Sequence, residues 1–138
     1  MDFSKLEESE HQDFISYMQE SVTKDQLEKI AEEKNCTLLV PKPNELFIDI
    51  DSLDALDEYR KRLQVLRDND IDHNVRMLTS KSGNKHIIIT LPFEVSDELR
   101  VAFQAALGSD PKRELLACLR ILAKVEVVTV LFRPKEEV

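Results

Sequence analysis

The stretch Glu45-Leu-Phe-Ile-Asp-Ile-Asp51 limits what this chain can fold into more than any other. Its alternation is that of a strand, with side chains on opposite faces at period two. Leu46, Ile48 and Ile50 fall on one face, and Phe47, Asp49 and Asp51 on the other. A wholly apolar strand face has to be buried against a second layer. The residues that follow supply one. Ser52 opens a helix to about Asp68, with Leu56, Tyr59, Leu63 and Leu66 on one stripe. Asp54, Asp57 and Glu58 precede Arg60, Lys61, Arg62 and Arg67, the order that the helix dipole favours.

The other elements are read from turns and caps. Val75 to Ser80 and Lys85 to Leu91 predict a hairpin around Lys81-Ser-Gly-Asn84, where Gly83 and Asn84 tolerate positive φ. Upstream, residues 2–20 predict a helix carrying Phe3, Leu6, Phe14, Ile15 and Met18. Thr23-Lys-Asp-Gln26 is a capping box for a second helix to about Lys34, with Leu27, Ile30 and Ala31 on its apolar stripe. Thr37 to Val40 is a short strand stopped by Pro41 and Pro43. Downstream, Ser96 opens a helix whose apolar side is expected to be Leu99, Ala102, Phe103, Ala106 and Leu107, with Gly108 as its stop. Asp110 and Pro111 open another, with Leu115, Leu119 and Leu122 as the expected buried stripe. Val127 to Phe132 is expected to be a final strand. The order α-α, β-β-α-β-β, α-α-β predicts an α+β fold, a mixed, mainly antiparallel sheet packed by helices.

The length of 138 residues suits one compact domain, and 42% apolar with 33% charged residues is an ordinary globular balance. A net charge of −8 is unlike that of a typical nucleic-acid binder. The acidity is uneven, however. Residues 1–35 hold ten acids and four bases, whereas residues 36–138 hold seventeen and fifteen. The chain therefore divides into an acidic helical segment over 1–35 and a near-neutral core domain over 36–138. Cys36 and Cys118 have apolar neighbours and no CxxC partner, so both are expected to be buried, reduced thiols. The acidic, polar N-terminus is no signal peptide, and no apolar run approaches the ~20 residues that span a bilayer. A soluble, cytoplasmic protein with no membrane partner is expected.

Two segments depart from ordinary structural sequence. Asp disfavours strands, yet Asp49 and Asp51 stand at i and i+2 on an apolar one, pointing the same way. Neighbouring ionised carboxylates repel unless a cation lies between them, and Mg²⁺ takes a few carboxylates plus substrate phosphates. Equally, Asp51 could cap the next helix and Asp49 could be solvated. The second segment is Ser82-Gly-Asn-Lys-His86, running into Ile87-Ile-Ile. Its turn can present N–H groups to phosphate, Ser82 and His86 can donate to it, and Lys85 adds charge. On the late helix, Lys112, Arg113, Arg120 and Lys124 could meet template phosphates or form a solvated face.

Together, the strand motif Leu46-Phe-Ile-Asp-Ile-Asp51 and the hairpin motif Ser82-Gly-Asn-Lys-His86-Ile-Ile-Ile resemble those of the archaeo-eukaryotic primase and primase-polymerase superfamily. Residues 103–116, Phe-Gln-Ala-Ala-Leu-Gly-Ser-Asp-Pro-Lys-Arg-Glu-Leu-Leu, look like small phage-encoded primase-like proteins. The resemblance covers about residues 36–133. It implies an RRM-like, primase-type core and metal-dependent nucleotidyl transfer in DNA replication, in the cytoplasm of a bacterial host if phage-encoded. It further implies Mg²⁺ or Mn²⁺ on Asp49 and Asp51, and nucleotide contacts from Ser82, Lys85, His86 and Arg113. Nucleoside triphosphates, a single-stranded DNA template and a replication helicase would be the partners. The family's third, late carboxylate has its nearest match in Glu126, which could equally be an exposed strand-edge residue. A non-catalytic primase-like module that binds nucleic acid or a replication partner is the alternative.

Overall fold

The structure, a computed structural model, describes residues 23–79 and 83–135, with Gln12, Asp13, Ile15, Ser16 and Gln19. The expected first helix lies almost wholly outside the described residues, as do Ser80, Lys81 and Ser82 of the hairpin turn. The elements are α1 (Lys24–Glu33), β1 (Cys36–Leu39), β2 (Glu45–Ile50), α2 (Leu53–Asp68), β3 (Asn74–Thr79), β4 (Lys85–Thr90), α3 (Asp97–Ala106), α4 (Pro111–Leu122) and β5 (Leu131–Pro134). The fold is α+β. The single mixed sheet that was expected resolves into two sheets, both antiparallel: β2-β4-β3, and a small pair of β1 with β5.

The larger sheet forms as its alternation requires. Leu46, Ile48 and Ile50, with Ile87, Ile89 and Leu91, close against Leu56, Tyr59, Leu63 and Leu66 of α2. The Ser52 hydroxyl accepts from the Ala55 N–H and starts that helix as expected. On the opposite sheet face, Phe47 and Ile88 pack with Leu131, Leu39 and Leu78, so the small sheet partly covers this side. Leu27 of α1 packs with Val127, Val130, Leu38 and Phe132 against that sheet.

Helices α3 and α4 do something the apolar pattern does not suggest: they close the outer edge of β2. The backbone groups of Glu45, Phe47 and Asp49 point away from β4, and each finds a partner. The Glu45 N–H donates to the Lys42 carbonyl at 3.0 Å, and the Glu45 carbonyl accepts from Arg100 Nε at 2.9 Å. The Phe47 N–H donates to Gln104 Oε1 at 2.8 Å, and its carbonyl accepts from Arg113 at 2.6 Å. The Asp49 N–H donates to Ser109 Oγ at 3.0 Å, and its carbonyl accepts from the Asp110 N–H at 2.8 Å. The chain reaches these positions through Gly108, whose φ of +91° glycine adopts without strain. Glu114, only 3% exposed, ties the closure together by accepting from Gln104, Ser109 and Arg113.

This closure corrects several sequence expectations. Because α3 and α4 turn polar side chains inward, α3 buries Arg100, Val101 and Gln104, while Leu99, Ala102 and Ala106 are exposed. Helix α4 buries Glu114 and Ala117, leaving Leu115 62% and Leu122 68% exposed, with Leu119 half-buried. Cys118 is likewise exposed rather than buried, and Cys36 is half-buried; both thiols are free. The expected strand from Val127 begins only at Leu131, since the carbonyls of Val128 and Val130 accept from Arg120 and Arg113 instead of from a neighbouring strand. Leu115→Gln and Leu122→Gln should therefore each change stability by no more than about 0.5 kcal/mol in urea denaturation. Losses of about 2–5 kcal/mol, the range for truncating a buried leucine, would contradict this orientation of α4.

Candidate functional site

The antiparallel register of β2 and β4 sets Asp49 directly opposite His86. Opposite residues share a face, so both side chains stand on the side away from α2, with His86 Nε2 3.7 Å from Asp49 Oδ1. Arg113 reaches the same place from α4. These three, with Arg120, Thr129 and the apolar Leu116, Ala117, Val128, Val130, Leu131 and Phe132, line a cleft of about 230 Å³.

Arg113 is chiefly a clamp. One terminal nitrogen donates to the Phe47 carbonyl, Ser109 Oγ and Glu114 Oε2, and the other to the Val130 carbonyl at 3.3 Å. Its charge nevertheless acts on Asp49. Arg120 gives one terminal nitrogen to the Val128 carbonyl at 3.1 Å, while its Nε and the Thr129 hydroxyl are buried with no hydrogen-bond partner among the described residues.

Burial dominates the titration of the Asp49–His86 pair. It raises the Asp49 pKa, against the pull of Arg113 and then His86, with Asp110 and Asp51 adding to the rise. It lowers the His86 pKa below 6.5, against the pull of Asp49 and with help from Arg113. Both shifts favour neutral forms. An acid with a raised folded-state pKa weighs against folding when ionised, and that cost fades as pH falls through the raised pKa. The histidine works the opposite way. Below 6.5 the unfolded imidazole takes up a proton that the folded one resists, so its contribution to stability is lost as pH falls.

The cleft thus unites three residues singled out from sequence, Asp49, His86 and Arg113. It does not include the others. Asp51 follows the last β2 residue and is exposed, though near enough to push the Asp49 pKa up. Lys85 precedes His86 on the strand, so alternation turns it to the other face, where its ammonium donates to Thr79 Oγ1 at 2.9 Å. Glu126 is exposed after α4, does not line the cleft, and is not among the charges acting on Asp49. Ser82 lies outside the described residues. Sequence reasoning missed Thr129, and it missed Gln104, Ser109 and Glu114, which hold the β2 edge beside the cleft. Gln104 follows Arg100 at helical spacing on α3, but Ser109 lies between the helices and Glu114 on α4, so no single periodic stripe marks them.

Asp49, Asp51 and His86 are the side chains that would hold a divalent ion. Among the described residues, no three His, Cys, Asp or Glu side chains form a group able to hold one. Arg113 already provides positive charge beside Asp49, and the Asp110 carboxylate is engaged as the N-cap of α4, accepting from the Lys112 N–H at 3.1 Å.

Fold and cleft together define an α+β domain with two antiparallel sheets packed by helices and an Asp–His–Arg cleft between the larger sheet and α4. Among the described residues, no helix is long and apolar enough to cross a membrane. Comparison with known protein families, with curated proteins and with solved structures gave no match.

Proposed function

We propose that the chain is an RRM-like, primase-like module that binds phosphate-bearing ligands, a nucleoside triphosphate or single-stranded DNA template, in the Asp49–His86–Arg113 cleft. The observation that carries this reading is the cross-strand pairing of Asp49 with His86 beside the Arg113 guanidinium. Two arginines hold their charge at any physiological pH, and the apolar side chains of Val128, Val130, Leu131 and Phe132 suit a base or sugar. Burial outweighs Asp49 and pulls the His86 pKa below 6.5, which favours the neutral imidazole in the free protein. A phosphate entering the cleft adds negative charge and favours the imidazolium, which can then bridge Asp49 and the phosphate. Binding would take up a proton, so affinity should rise as pH falls. The two motifs support a setting in DNA replication, phage-encoded, with a replication helicase as partner in the host cytoplasm.

Metal-dependent nucleotidyl transfer is the second reading. It is favoured by Asp51, a second carboxylate close enough to act on Asp49. One experiment separates the two. Binding of a labelled single-stranded oligonucleotide, with nucleoside triphosphate as competitor, is followed at low salt without added metal. Saturable binding is expected, tighter at pH about 6 than at about 7.5. His86→Ala should weaken it ~10-fold, the scale of one lost charge-assisted hydrogen bond. Undiminished affinity in His86→Ala, or no binding by the wild type, would sink the proposal. Template-dependent incorporation with Mn²⁺ that disappears in Asp49→Asn and in Asp51→Asn would install the second reading.

A further inference from the structure

We propose that the outer edge of β3 is a docking surface for a second copy of this chain, pairing antiparallel and centred on Met77. The two edges of the larger sheet are treated in opposite ways. At β2, every outward backbone group of Glu45, Phe47 and Asp49 has a partner. At β3, the last strand on the other side, none of the outward groups of Val75 or Met77 has one among the described residues.

Which groups point outward follows from antiparallel alternation. Since Glu45, Phe47 and Asp49 turn away from β4, Leu46, Ile48 and Ile50 bond to it, at Ile89, Ile87 and Lys85. The intervening β4 residues, His86, Ile88 and Thr90, then bond β3 at Leu78, Arg76 and Asn74. Val75, Met77 and Thr79 are left facing out.

Strands exposed in this way are normally blunted by proline, lysine, a bulge or a covering element. Asn74–Thr79 has no proline or lysine and pairs without a bulge. Its only charge, Arg76, lies 4.0 Å from Glu45 and belongs to the set already bonded to β4. Val75 is 41% and Met77 44% exposed, so apolar side chains flank the open edge.

The strand's own pattern selects a second copy as occupant. A two-fold axis perpendicular to a sheet sets residues of the same face opposite one another. Centred on Met77, it places Met77 against Met77 and Val75 against Thr79, so the outward groups of both strands meet. Arg76 then faces Leu78, and no like charges are opposed. Centred on Arg76, it would oppose two arginines through groups already used by β4. The Met77 register yields one continuous six-stranded antiparallel sheet and closes both edges.

Sedimentation velocity of the full chain tests this, with amide hydrogen exchange on the same samples. The expected result is a monomer–dimer equilibrium in which Val75 and Met77 amides gain protection with concentration. Met77→Lys should weaken the dimer at least ~10-fold while leaving circular dichroism unchanged, and melting unchanged at concentrations where both proteins are monomeric. Leu122→Lys, on the exposed stripe of α4, should leave the dimer intact. A wild type that stays monomeric, whether or not it captures foreign extended peptides, would overturn the proposal. So would a dimer without protection at Val75 and Met77, or one dissolved by Leu122→Lys and not by Met77→Lys.

Discussion

Replacing Glu114 with Ala should lower folding stability by about 3–5 kcal/mol, the usual cost of breaking a buried charge pair from one side. Glu114 accepts from Gln104 Nε2 and from Ser109 Oγ at 2.7 Å each, and from Arg113 at 3.2 Å. Its loss leaves Arg113 without its closest counter-charge, and frees Gln104 and Ser109 from the orientations that satisfy β2. The urea unfolding midpoint should fall with little change in slope. The double variant Arg113→Met with Glu114→Leu should recover only part of the loss, because Arg113 also serves the Phe47 and Val130 carbonyls. A Glu114→Ala protein within about 1 kcal/mol of wild type would show that the network is not what holds α4 to the sheet.

Ile48→Ala should cost about 2–5 kcal/mol for a different reason, a cavity in the main core. Ile48 has no exposed surface and sits opposite Ile87, in the cluster that joins the sheet to α2. Neighbours on two layers cannot collapse fully into the space it leaves. The same denaturation series reads the effect, and Ile48→Val should lose only about 0.5–1.5 kcal/mol. Equal losses from the two would place the energy in strand propensity rather than in packing.

Where one rule acted alone, the sequence was a sufficient guide. Alternation at 45–51, the stripe of Leu56, Tyr59, Leu63 and Leu66, and the caps at Thr23, Ser52, Ser96 and Asp110 all appear in the structure. The two motifs were legible as strands, but the register that sets Asp49 opposite His86 appears only in the structure. Phe103 of α3 and Leu107 at its C-cap pack in the core as expected, but the two helices offer two sets of side chains to the interior, an apolar one with Leu99, Leu115 and Leu122 and a polar one with Arg100, Gln104 and Glu114. Hydrophobicity favours the first, but β2's unpaired backbone groups demand the second. That demand is non-local: Gln104 and Ser109 meet Phe47 and Asp49 across more than fifty residues. The expected strand from Val127 failed through the same competition, its carbonyls being taken by Arg113 and Arg120.

The closure of β2 also bears on how the chain is made. Synthesis proceeds from the N-terminus, and domains generally fold as their segments emerge. Strands β2, β3 and β4 with α2 can assemble once residue 90 has left the ribosome, but every partner for β2's edge except the Lys42 carbonyl lies between Arg100 and Arg113. Until that stretch follows, the nascent sheet is bare on both sides, and bare strands invite pairing with other chains. A pause in translation between β4 and α4 would prolong that interval, so the yield of folded protein should depend on how quickly those twenty or so codons are read.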